Sequence, residues 1–520
     1  MFIKYNNLSQ EDAHEFDICI IGAGAIGLSM ALYLEDTTDL TVAVLDSGSL
    51  KSEESRADEV HNTGDISSGL AGSRAYGFGG STTIWGGQAL QFNDLDFSDR
   101  LWIENSKWPI NPIDISPYYR AAEKIIGVDS VDFDTDICTS DIAQTDLNTY
   151  REHDIGLSYS KFSPTPNFHD KYRSRIENSK RIFCYLDARI EFNQHETTKQ
   201  ITNVRIKSNC CDTFELIASD FVIACGGIDS PTILLSSNIN GLNKLPIGRY
   251  YNDHIGIYGA RLIPQDISKF RALFATRIKN GVKCVPKLAL SEESQTTHQL
   301  GNINANIEAE ASPNDPLSLM REVYSELRSL HLNARTARKI FELFKHPKDL
   351  IMAGYELLIK RRIFLPADGT FFLIANIESI PMYDSFIKAP KENPQAKSAP
   401  IHINWLTSNQ TKTTAAHFYT AIKDSLEKNG VAKVILKQSI YETNDDWLDS
   451  CYGLYHHMGA TRMSDSPKNG VVDKNCKVHT IPNLFIAGTS VLPTGSASNP
   501  TFTALALALR LCDHLKNKKS

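Results

Sequence analysis

The alternation of apolar and polar positions near the start of the chain predicts a strand, a helix and a second strand. The apolar run at residues 16–21 predicts the first strand, residues 28–35 predict the helix, and residues 41–45 predict the second strand. A glycine-bearing turn at residues 22–27 joins the first two elements. This order predicts a βαβ unit of the Rossmann type, in which a ligand binds where the turn meets the helix.

The glycines of this turn have the spacing of a dinucleotide-binding fingerprint. Gly22 allows the tight turn, Gly24 lets the backbone approach a diphosphate, and Gly27 lets the helix pack close to the strand. Asp46 ends the second strand and can accept hydrogen bonds from a ribose diol. The alternative is a glycine turn in another kind of βαβ unit. The predicted cofactor contacts in this region are Gly22, Gly24, Ala25, Ile26, Gly27, Asp46 and Ser47.

A second glycine-rich segment, residues 77–87, favours FAD over NAD. Eight of its eleven residues are glycine, serine or threonine, which predicts a backbone laid against a flat ring and a diphosphate. A flexible linker is the alternative, but linkers rarely hold an Ile-Trp pair between two Gly-Gly pairs. The predicted FAD contacts in this segment are Gly79, Gly80, Ser81, Thr83, Trp85, Gly86 and Gly87.

The C-terminal part of the chain holds the residues predicted to do chemistry. His456 stands in a glycine-bearing turn, and Asn499 stands before Pro500. Oxidation of an alcohol needs a proton acceptor, and histidine titrates near neutral pH. Asn499 can donate its amide to the substrate oxygen while His456 accepts the proton. The alternatives are His457 as the base, two structural histidines, and a turn role for Asn499.

Length, charge and composition limit the number of domains, the possible partners and the compartment. A chain of 520 residues predicts two domains or more. The net charge of −7 argues against nucleic acid and against an anionic membrane as partners. Ten scattered cysteines without a CxxC pair, and no secretory leader, predict a cytoplasmic protein. We predict no metal site, because His254, His402 and His417 lack the spacing of metal ligands.

Together these segments resemble the glucose–methanol–choline (GMC) oxidoreductases, which are flavoproteins that oxidise alcohols. Residues 378–387 resemble the strand pair that covers the family's substrate site, and residues 182–190 resemble the strand at its adenine edge. The His-x-Met-Gly pattern at His456 and the Asn-Pro-Thr pattern at Asn499 are similar to those of pyranose oxidases and bacterial sugar-oxidising members. The matching segments, in the family's order, are residues 17–48, 74–87, 224–236, 245–256 and 453–515.

The resemblance implies an α/β fold with a discontinuous Rossmann-like FAD-binding domain and a substrate-binding domain. The second domain is expected to contain a mostly antiparallel sheet and a helical hairpin inserted at about residues 315–362. Core or dimer packing is the expected use of this insertion, and binding to a membrane or to a partner is the alternative. The expected FAD-binding segments are residues 1–98, 165–256 and 448–520, and the expected substrate-binding segments are residues 99–164 and 257–447.

The resemblance also implies contacts with FAD beyond the two glycine segments. The C-terminal helix, predicted over residues 504–514, can stabilise an anionic reduced flavin with its N-terminus. Pyranose oxidases carry a covalently linking histidine where this chain has Ile84, so we expect FAD to bind non-covalently. The implied contacts are Arg189, Ala224, Gly226, Gly488, Thr489, Asn499, Pro500 and Thr501.

The predicted function is the FAD-dependent oxidation of an alcohol group of a sugar, glycoside or aminocyclitol-like polyol to a carbonyl, with His456 as the base and flavin N5 as the hydride acceptor. The sugar assignment is an analogy with the family. The alternatives are a lyase of the same fold, oxidation of a non-sugar primary alcohol, and a non-enzymatic flavin protein. Oxygen, a quinone or a protein is expected to accept the electrons, and homo-oligomer formation stays open.

Overall fold

The computed structural model describes residues 1–3, 14–54, 60–66, 72–133, 154–207, 213–310, 316–328, 333–389 and 400–519. The helices are α1 (Ala25–Thr37), α2 (Asp94–Phe97), α3 (Pro112–Ile126), α4 (Phe168–Asn178), α5 (Gly226–Ser236), α6 (Ile267–Phe274), α7 (Glu292–His298), α8 (Pro316–Arg328), α9 (Ala334–Leu343), α10 (Pro347–Leu358), α11 (Asn409–Lys428) and α12 (Pro500–Lys519). The strands are β1 (His14–Ile21), β2 (Val42–Leu45), β3 (Glu53–Glu54), β4 (Val60–Asn62), β5 (Ala75–Tyr76), β6 (Gln88–Ala89), β7 (Ile155–Phe162), β8 (Ile182–Tyr185), β9 (Arg189–Gln194), β10 (Ile201–Lys207), β11 (Phe214–Ile223), β12 (Ile255–Pro264), β13 (Arg277–Lys279), β14 (Val282–Leu290), β15 (Ile303–Ala309), β16 (Phe371–Ile377), β17 (Phe386–Lys388), β18 (Ile401–Asn404), β19 (Ala432–Leu436), β20 (Cys451–Gly453) and β21 (Leu484–Ile486).

The first sheet has the order β8-β2-β1-β11-β10-β9, and β21 also pairs with β11. Strands β8, β2, β1, β11 and β21 run parallel, whereas β10 runs antiparallel to both of its neighbours. The C-terminal half of β1 is buried without interruption, as expected for a parallel strand covered on both faces. Helices α1 and α12 pack against each other beside this sheet. The predicted Rossmann-like α/β unit is therefore confirmed.

The second sheet has nine strands, with the order β19-β12-β16-β15-β14-β7-β6; β13 pairs with β14 and β20 pairs with β12. Each of its pairings is antiparallel among the described residues. Helix α11 packs across β19, β16, β15 and β7, and its apolar face joins the core of this sheet. The predicted antiparallel sheet is confirmed.

Distant parts of the chain combine in each sheet. The first sheet takes strands from residues 14–45, 182–223 and 484–486, as a discontinuous domain requires. Strand β6 lies in the predicted FAD-binding segment yet joins the second sheet, and α3 lies in a predicted substrate-binding segment yet packs on α12. The division into two domains at the predicted boundaries stays a prediction.

Three predicted elements differ in the structure. The adenine-edge strand at residues 182–190 is two strands, because the chain turns at Asp187, which has a positive φ of 53°. The strand pair expected at residues 378–387 is wrong: β16 ends at Ile377 and only β17 falls within that range. The inserted hairpin consists of three helices, α8 to α10, rather than two. None of the described helices is long and apolar enough to cross a bilayer.

Candidate active site

Two glycines of the first turn are required by close packing within the protein. Gly22 has a φ of +112°, and a Cβ there would lie 2.5 Å from the carbonyl oxygen of Ala224. A Cβ on Gly27 would lie 1.9 Å from the carbonyl oxygen of Gly22. Any side chain at these positions would separate α1 from β1, or β1 from β11.

Three other glycines border open space at the carboxyl ends of the same strands. A Cβ on Gly24 or Gly226 would meet no atom within 4 Å, and one on Gly488 would meet only Ile26 at 4.0 Å. Gly24 is also the residue before α1, whose first N–H groups have no partner within the helix. This open surface, which we call the cradle, fits the diphosphate of a dinucleotide.

The second glycine segment packs directly on the cradle. The Gly79 N–H donates to the Ala23 carbonyl at 2.9 Å, and a Cβ on Gly80 would lie 2.9 Å from Gly24 Cα. Residues 80–83, which include Ser81 and Thr83, form a short 3-10 helix. Trp85 fixes the end of the segment by donating its indole N–H to the Pro166 carbonyl at 2.8 Å. The predicted contacts Gly86 and Gly87 follow on the way into β6.

Asp46 connects three parts of the nucleotide end. Its Oδ2 accepts the Ala23 N–H at 2.8 Å, and its Oδ1 accepts the N–H groups of Gly48 and Gly77, both at 2.9 Å. Burial raises the pKa of Asp46, and these three hydrogen bonds oppose that increase. Asp46 therefore holds the turn, the end of β2 and the glycine segment together, and its predicted ribose contact stays a prediction.

The remaining residues predicted at the adenosine end lie beside Asp46. Ser47 follows it and is exposed. The Ala188 N–H donates to the Asp46 carbonyl at 2.8 Å, which places Arg189, the first residue of β9, near the same edge. Strands β8 and β9 are at opposite ends of the sheet order but only three residues apart in the chain, so the sheet curls back on itself here.

His456 and Asn499, the two predicted catalytic residues, are in contact. Asn499 Nδ2 donates to His456 Nε2 at 2.9 Å, and Asn499 Oδ1 is buried without a partner among the described residues. Asn499 immediately precedes α12, which begins at Pro500. The loop that carries His456 is docked on the loop after β21, where the Thr461 N–H donates to the Ser490 carbonyl at 2.9 Å. That second loop contains Gly488, so the pair lies next to the cradle.

His254, which was not predicted as a site residue, fixes the tautomer of His456. His254 Nε2 lies 3.0 Å from the Gly495 carbonyl, which can only accept, so this nitrogen carries the proton. His254 Nδ1, 2.9 Å from His456 Nδ1, is then the acceptor, and His456 Nδ1 carries the proton between them. The unprotonated nitrogen of a neutral His456 is therefore Nε2, on the side of Asn499.

The local electrostatics keep both histidines neutral. Burial lowers the pKa of His254 to about 4. Burial also lowers the pKa of His456 well below its ordinary value of 6.5, and the neighbouring His254 and His457 lower it further. The charge of Lys287, whose Nζ donates to Asn306 Oδ1 at 2.6 Å, acts in the same direction. His456 is thus ready to accept a proton at neutral pH.

His457, the competing candidate, points away from Asn499. Its Nδ1 lies 2.8 Å from the Tyr251 hydroxyl, and its carbonyl accepts the Thr489 hydroxyl at 2.6 Å. A Cβ on Gly227 would collide with the His457 backbone, so His457 is held between α5 and this loop. Burial lowers the pKa of His457 to about 3. The neighbouring imidazoles therefore face different surroundings, as predicted for adjacent side chains.

Asp253 holds the backbone of both members of the histidine pair. Its Oδ1 accepts the N–H groups of His254 and His456, each at 2.7 Å. Burial raises the pKa of Asp253 to about 7, and the backbone hydrogen bonds oppose that increase. The carboxyl group thus fixes the two loops from which the imidazoles extend.

A polar strand face lies opposite the His456–Asn499 pair. It was not predicted from the sequence. Asn302, Asn304 and Asn306 alternate on one face of β15 and the residue before it. Asn304 Nδ2 donates to the Ala497 carbonyl at 2.6 Å, and Asn302 Nδ2 donates to Ser496 Oγ at 3.2 Å. Asparagine at every second residue is a pattern visible in the sequence, and it indicates one polar face of a strand.

A buried ion pair holds the loop that carries Asn499. Arg100 and Glu378 form two hydrogen bonds at 2.6 and 2.7 Å, and both side chains are fully buried. Glu378 Oε2 also accepts the Asn302 N–H at 2.9 Å, and Oε1 accepts the Ser496 N–H at 3.2 Å. Burial alone raises the pKa of Glu378, but Arg100 outweighs this, and the pKa lies below its ordinary value. Glu378 therefore has a supporting role rather than a place in the expected strand pair.

One group of potential metal ligands occurs among the described residues. The ligand atoms of Asp154, just before β7, His298 at the end of α7 and His417 in α11 lie within 4.8 Å of one another. Neither His254 nor His402 belongs to it.

A family comparison covers the part of the chain that holds this pair. The GMC oxidoreductase family model matches residues 381–508, which include both His456 and Asn499. Residues 381–508, about a quarter of the chain, thus match the GMC oxidoreductases. The resemblance inferred from the dispersed motifs is therefore confirmed.

Three curated relatives are similar to this chain over short segments. A 2-methyl-1,2-propanediol dehydrogenase of Mycolicibacterium austroafricanum is 39% identical over 79 residues, or 15% of this chain and 14% of the relative. A C-glycoside 3-oxidase of Arthrobacter globiformis is 45% identical over 56 residues, or 11% of each chain. A pyranose 2-oxidase of Tricholoma matsutake is 39% identical over 59 residues, or 11% of this chain and 10% of the relative. The matches thus span less than a sixth of each relative.

Solved structures share the fold of this chain over nearly its whole length. The pyridoxine 4-oxidase from Mesorbium loti superposes with a TM-score of 0.61, covering 96% of this chain and 99% of that one at 15% identity. A formate oxidase from Aspergillus oryzae, studied for the effect of a mutation on FAD modification, superposes with a TM-score of 0.57 over 98% and 99% of the two chains at 14% identity. These similarities establish the fold.

Proposed function

We propose that this protein is an FAD-dependent oxidoreductase that converts an alcohol group of a sugar, glycoside or related polyol to a carbonyl. The observation that carries the proposal is the contact between His456 Nε2 and Asn499 Nδ2 at the edge of the cradle. FAD, when bound, supplies the hydride acceptor for this reaction. The match of residues 381–508 to the GMC oxidoreductases supports the same conclusion.

FAD would be held mainly by backbone. The open glycines Gly24, Gly226 and Gly488 leave room for the diphosphate, and the N–H groups at the start of α1, from Ala25 and Ile26, face that room. Asp46 would bind the ribose. Non-covalent attachment is part of the proposal, because Ile84 offers no atom that could bond to the flavin.

The proton of the substrate hydroxyl would pass to His456 Nε2. This nitrogen is unprotonated because His254 fixes the tautomer, and the low pKa of His456 keeps the imidazole neutral at neutral pH. Asn499 would donate its amide to the substrate oxygen and so position it. The positive charge of Lys287 would stabilise negative charge that develops on that oxygen.

The polar face of β15 supports a substrate with several hydroxyl groups. Asn304 and Asn306, together with Lys287, offer amide and ammonium groups of the kind that bind sugars. The C-glycoside 3-oxidase and pyranose 2-oxidase relatives favour the same class. A non-sugar alcohol is the second candidate, favoured by the diol dehydrogenase relative and by the fold shared with pyridoxine 4-oxidase.

Anaerobic reduction of the bound flavin tests both candidates. The purified protein would be mixed without oxygen with hexoses, C- and O-glycosides, aminocyclitols, short diols and pyridoxine, and the flavin absorbance followed. We expect bleaching by one or more polyols. Bleaching by simple alcohols alone would favour the second candidate, and no bleaching by any alcohol would favour a lyase or a non-enzymatic role.

Two further inferences concern the electron acceptor and the compartment. We infer oxygen as the first acceptor to test, since two of the three relatives are named oxidases, with a quinone or a protein as alternatives. The seven cysteines described in the structure form no disulfide, which supports the cytoplasmic assignment. Oxygen consumption during turnover separates an oxidase from a dehydrogenase.

A further inference from the structure

Helix α10 presents an apolar stripe to solvent. Ile351, Tyr355, Leu358 and Ile359 recur at steps of four, three and one residues, so they share one side of the helix and the turn that follows it. The exposed fractions of Ile351, Leu358 and Ile359 are 71%, 65% and 68%. A stripe with this spacing normally faces a protein core, whereas here it faces outward.

The preceding helix extends this surface. Phe341 near the end of α9 and Phe344 just after it are 68% and 70% exposed. Ten of the 21 exposed large hydrophobic residues in the described part of the chain lie between residues 324 and 359. We name the set Phe341, Phe344, Ile351, Tyr355, Leu358 and Ile359 the apolar face.

Buried charges fix the orientation of α10. Glu356, on the protein side of the helix, is 2% exposed. Its Oε1 lies 3.7 Å from Arg271 Nη1 and accepts Arg362 Nη2 at 3.1 Å. Rotating the helix to bury the apolar stripe would remove Glu356 from both guanidinium groups and leave its charge buried without a partner, which is strongly destabilising. The outward direction of the stripe is therefore built into the packing.

Positive charge surrounds the apolar face. Residues 333–362 contain eight lysines and arginines but only three aspartates and glutamates, an excess of five positive charges in a chain whose net charge is −7. Lys345, Lys348, Lys360 and Arg361 are exposed at the ends of α9 and α10. Long cationic side chains at such positions can reach past apolar neighbours to a polar boundary.

We propose that the apolar face docks on the surface of a lipid bilayer that contains anionic lipids. Apolar and aromatic residues with cationic flanks are typical of helices that lie in the membrane interface without crossing it. A second copy of this chain fits the surface less well, because a two-fold interface would place the two positive surfaces against each other. The proposal does not depend on the proposed function. It replaces the core or dimer packing expected from the sequence. It also differs from the expectation that the net charge of −7 argues against an anionic membrane, because the positive excess is local to residues 333–362.

Vesicle binding tests the proposal with the full-length flavoprotein. Sedimentation with vesicles of phosphatidylcholine would be compared with vesicles that also contain phosphatidylglycerol, at low and high salt. We expect binding to the anionic vesicles, weakened by salt because the attraction is electrostatic. Ile351→Ser with Leu358→Ser should lower the vesicle affinity at least about tenfold, since it removes apolar contact with the bilayer. Lys348→Gln with Lys360→Gln should lower it roughly fivefold per lysine.

Matched variants elsewhere on the surface serve as controls. Leu101→Ser with Ile113→Ser removes two exposed apolar residues outside the apolar face, and Lys433→Gln with Lys474→Gln removes two exposed charges. These pairs should leave vesicle binding unchanged. Thermal unfolding and flavin content should be the same in all four variants, because every changed side chain is exposed.

Three results would overturn the proposal. The first is no binding of the wild-type protein to anionic vesicles. The second is equal binding by the Ile351→Ser, Leu358→Ser variant, which would assign any membrane contact to another surface. The third is a wild-type dimer in sedimentation velocity that this variant dissociates, without vesicle binding, which would assign the apolar face to a second copy of the chain.

Discussion

At the scale of single residues, the His456 nitrogen that we propose as the proton acceptor is set by atoms on three separate loops. The Gly495 carbonyl fixes His254, and His254 fixes His456. Asp253 holds the backbone N–H groups of both histidines. Because each contact restricts the next, the geometry needed for proton transfer exists before the substrate arrives.

Replacing the active-site residues one at a time should separate their roles. His456→Ala should slow flavin reduction by about 10²–10⁴-fold, the usual loss when a general base is removed. Asn499→Ala should slow it by roughly tenfold, because it removes one positioning hydrogen bond. His457→Ala should have the smallest effect, since its ring faces Tyr251. Stopped-flow absorbance measures the rates. A larger loss of rate in His457→Ala than in His456→Ala would show that the base is His457 and that the assignment to His456 is wrong.

The pH dependence of flavin reduction should report the lowered pKa of His456. A base is active while unprotonated, so the rate should stay constant as the pH falls through 6.5 and should decrease only at lower pH. Lys287→Met should move that decrease to higher pH, because the charge of Lys287 helps to lower the pKa. Stopped-flow rates between neutral and acid pH provide the measurement. A decrease centred at or above pH 6.5 in the wild-type protein would contradict the assignment.

Sequence reasoning found the residues that short motifs mark and missed those that the fold brings to them. His456 and Asn499 stand in patterns of three or four neighbouring residues. His254 and Lys287 come from distant segments with no distinctive spacing, and only the sheet pairings place them near His456. Asp46 was predicted for its ribose contact, whereas its three backbone hydrogen bonds depend on loops that the sequence could not position.

At the scale of elements, the glycines of the first turn divide into two kinds that mutation can distinguish. Gly24→Ala should leave the free energy of unfolding of the flavin-free protein unchanged within about 0.5 kcal/mol, since its Cβ meets no protein atom. It should weaken FAD binding by about tenfold or more, because the Cβ would occupy the cradle.

Gly27→Ala should show the opposite behaviour. Its Cβ would lie 1.9 Å from the Gly22 carbonyl oxygen, so α1 must shift, and the free energy of unfolding should fall by about 1–3 kcal/mol. Chemical denaturation of the flavin-free proteins and fluorescence titration with FAD measure the two quantities. Equal FAD affinity in Gly24→Ala and the wild type would show that the diphosphate does not lie against Gly24.

The type of a helix or strand was easier to predict than the residues at which it begins and ends. The first helix was expected at residues 28–35 but spans Ala25–Thr37, because the glycine turn already contributes to its first turn. Helix α12 likewise begins at Pro500, a residue suited to the first position of a helix, rather than at residue 504. The outward direction of α10 could not be predicted, since it depends on the partners of Glu356 in other segments.

At the scale of the whole molecule, the flavin should be released intact when the protein unfolds. The purified protein should be yellow, and acid precipitation should leave the FAD in the supernatant, because the proposed contacts are hydrogen bonds and van der Waals contacts with no covalent link at Ile84. Absorbance of the supernatant and of the redissolved pellet gives the partition. Flavin that stays with the pellet would contradict non-covalent attachment.

The first sheet pairs strands that are far apart in the chain, and this limits the order in which the protein can be assembled during translation. Strand β1 pairs with β11, and β11 pairs in turn with β21, so adjacent strands are about 200 and 260 residues apart in the chain. The buried leucines of α12 complete the same core. A growing chain on the ribosome therefore exposes one edge of the C-terminal half of β11 and part of its apolar core until residues 484–486 have been synthesised. Unpaired strand edges aggregate readily, so high-level expression should depend on chaperones or on slow synthesis more than it would for a domain whose strands are contiguous in the chain.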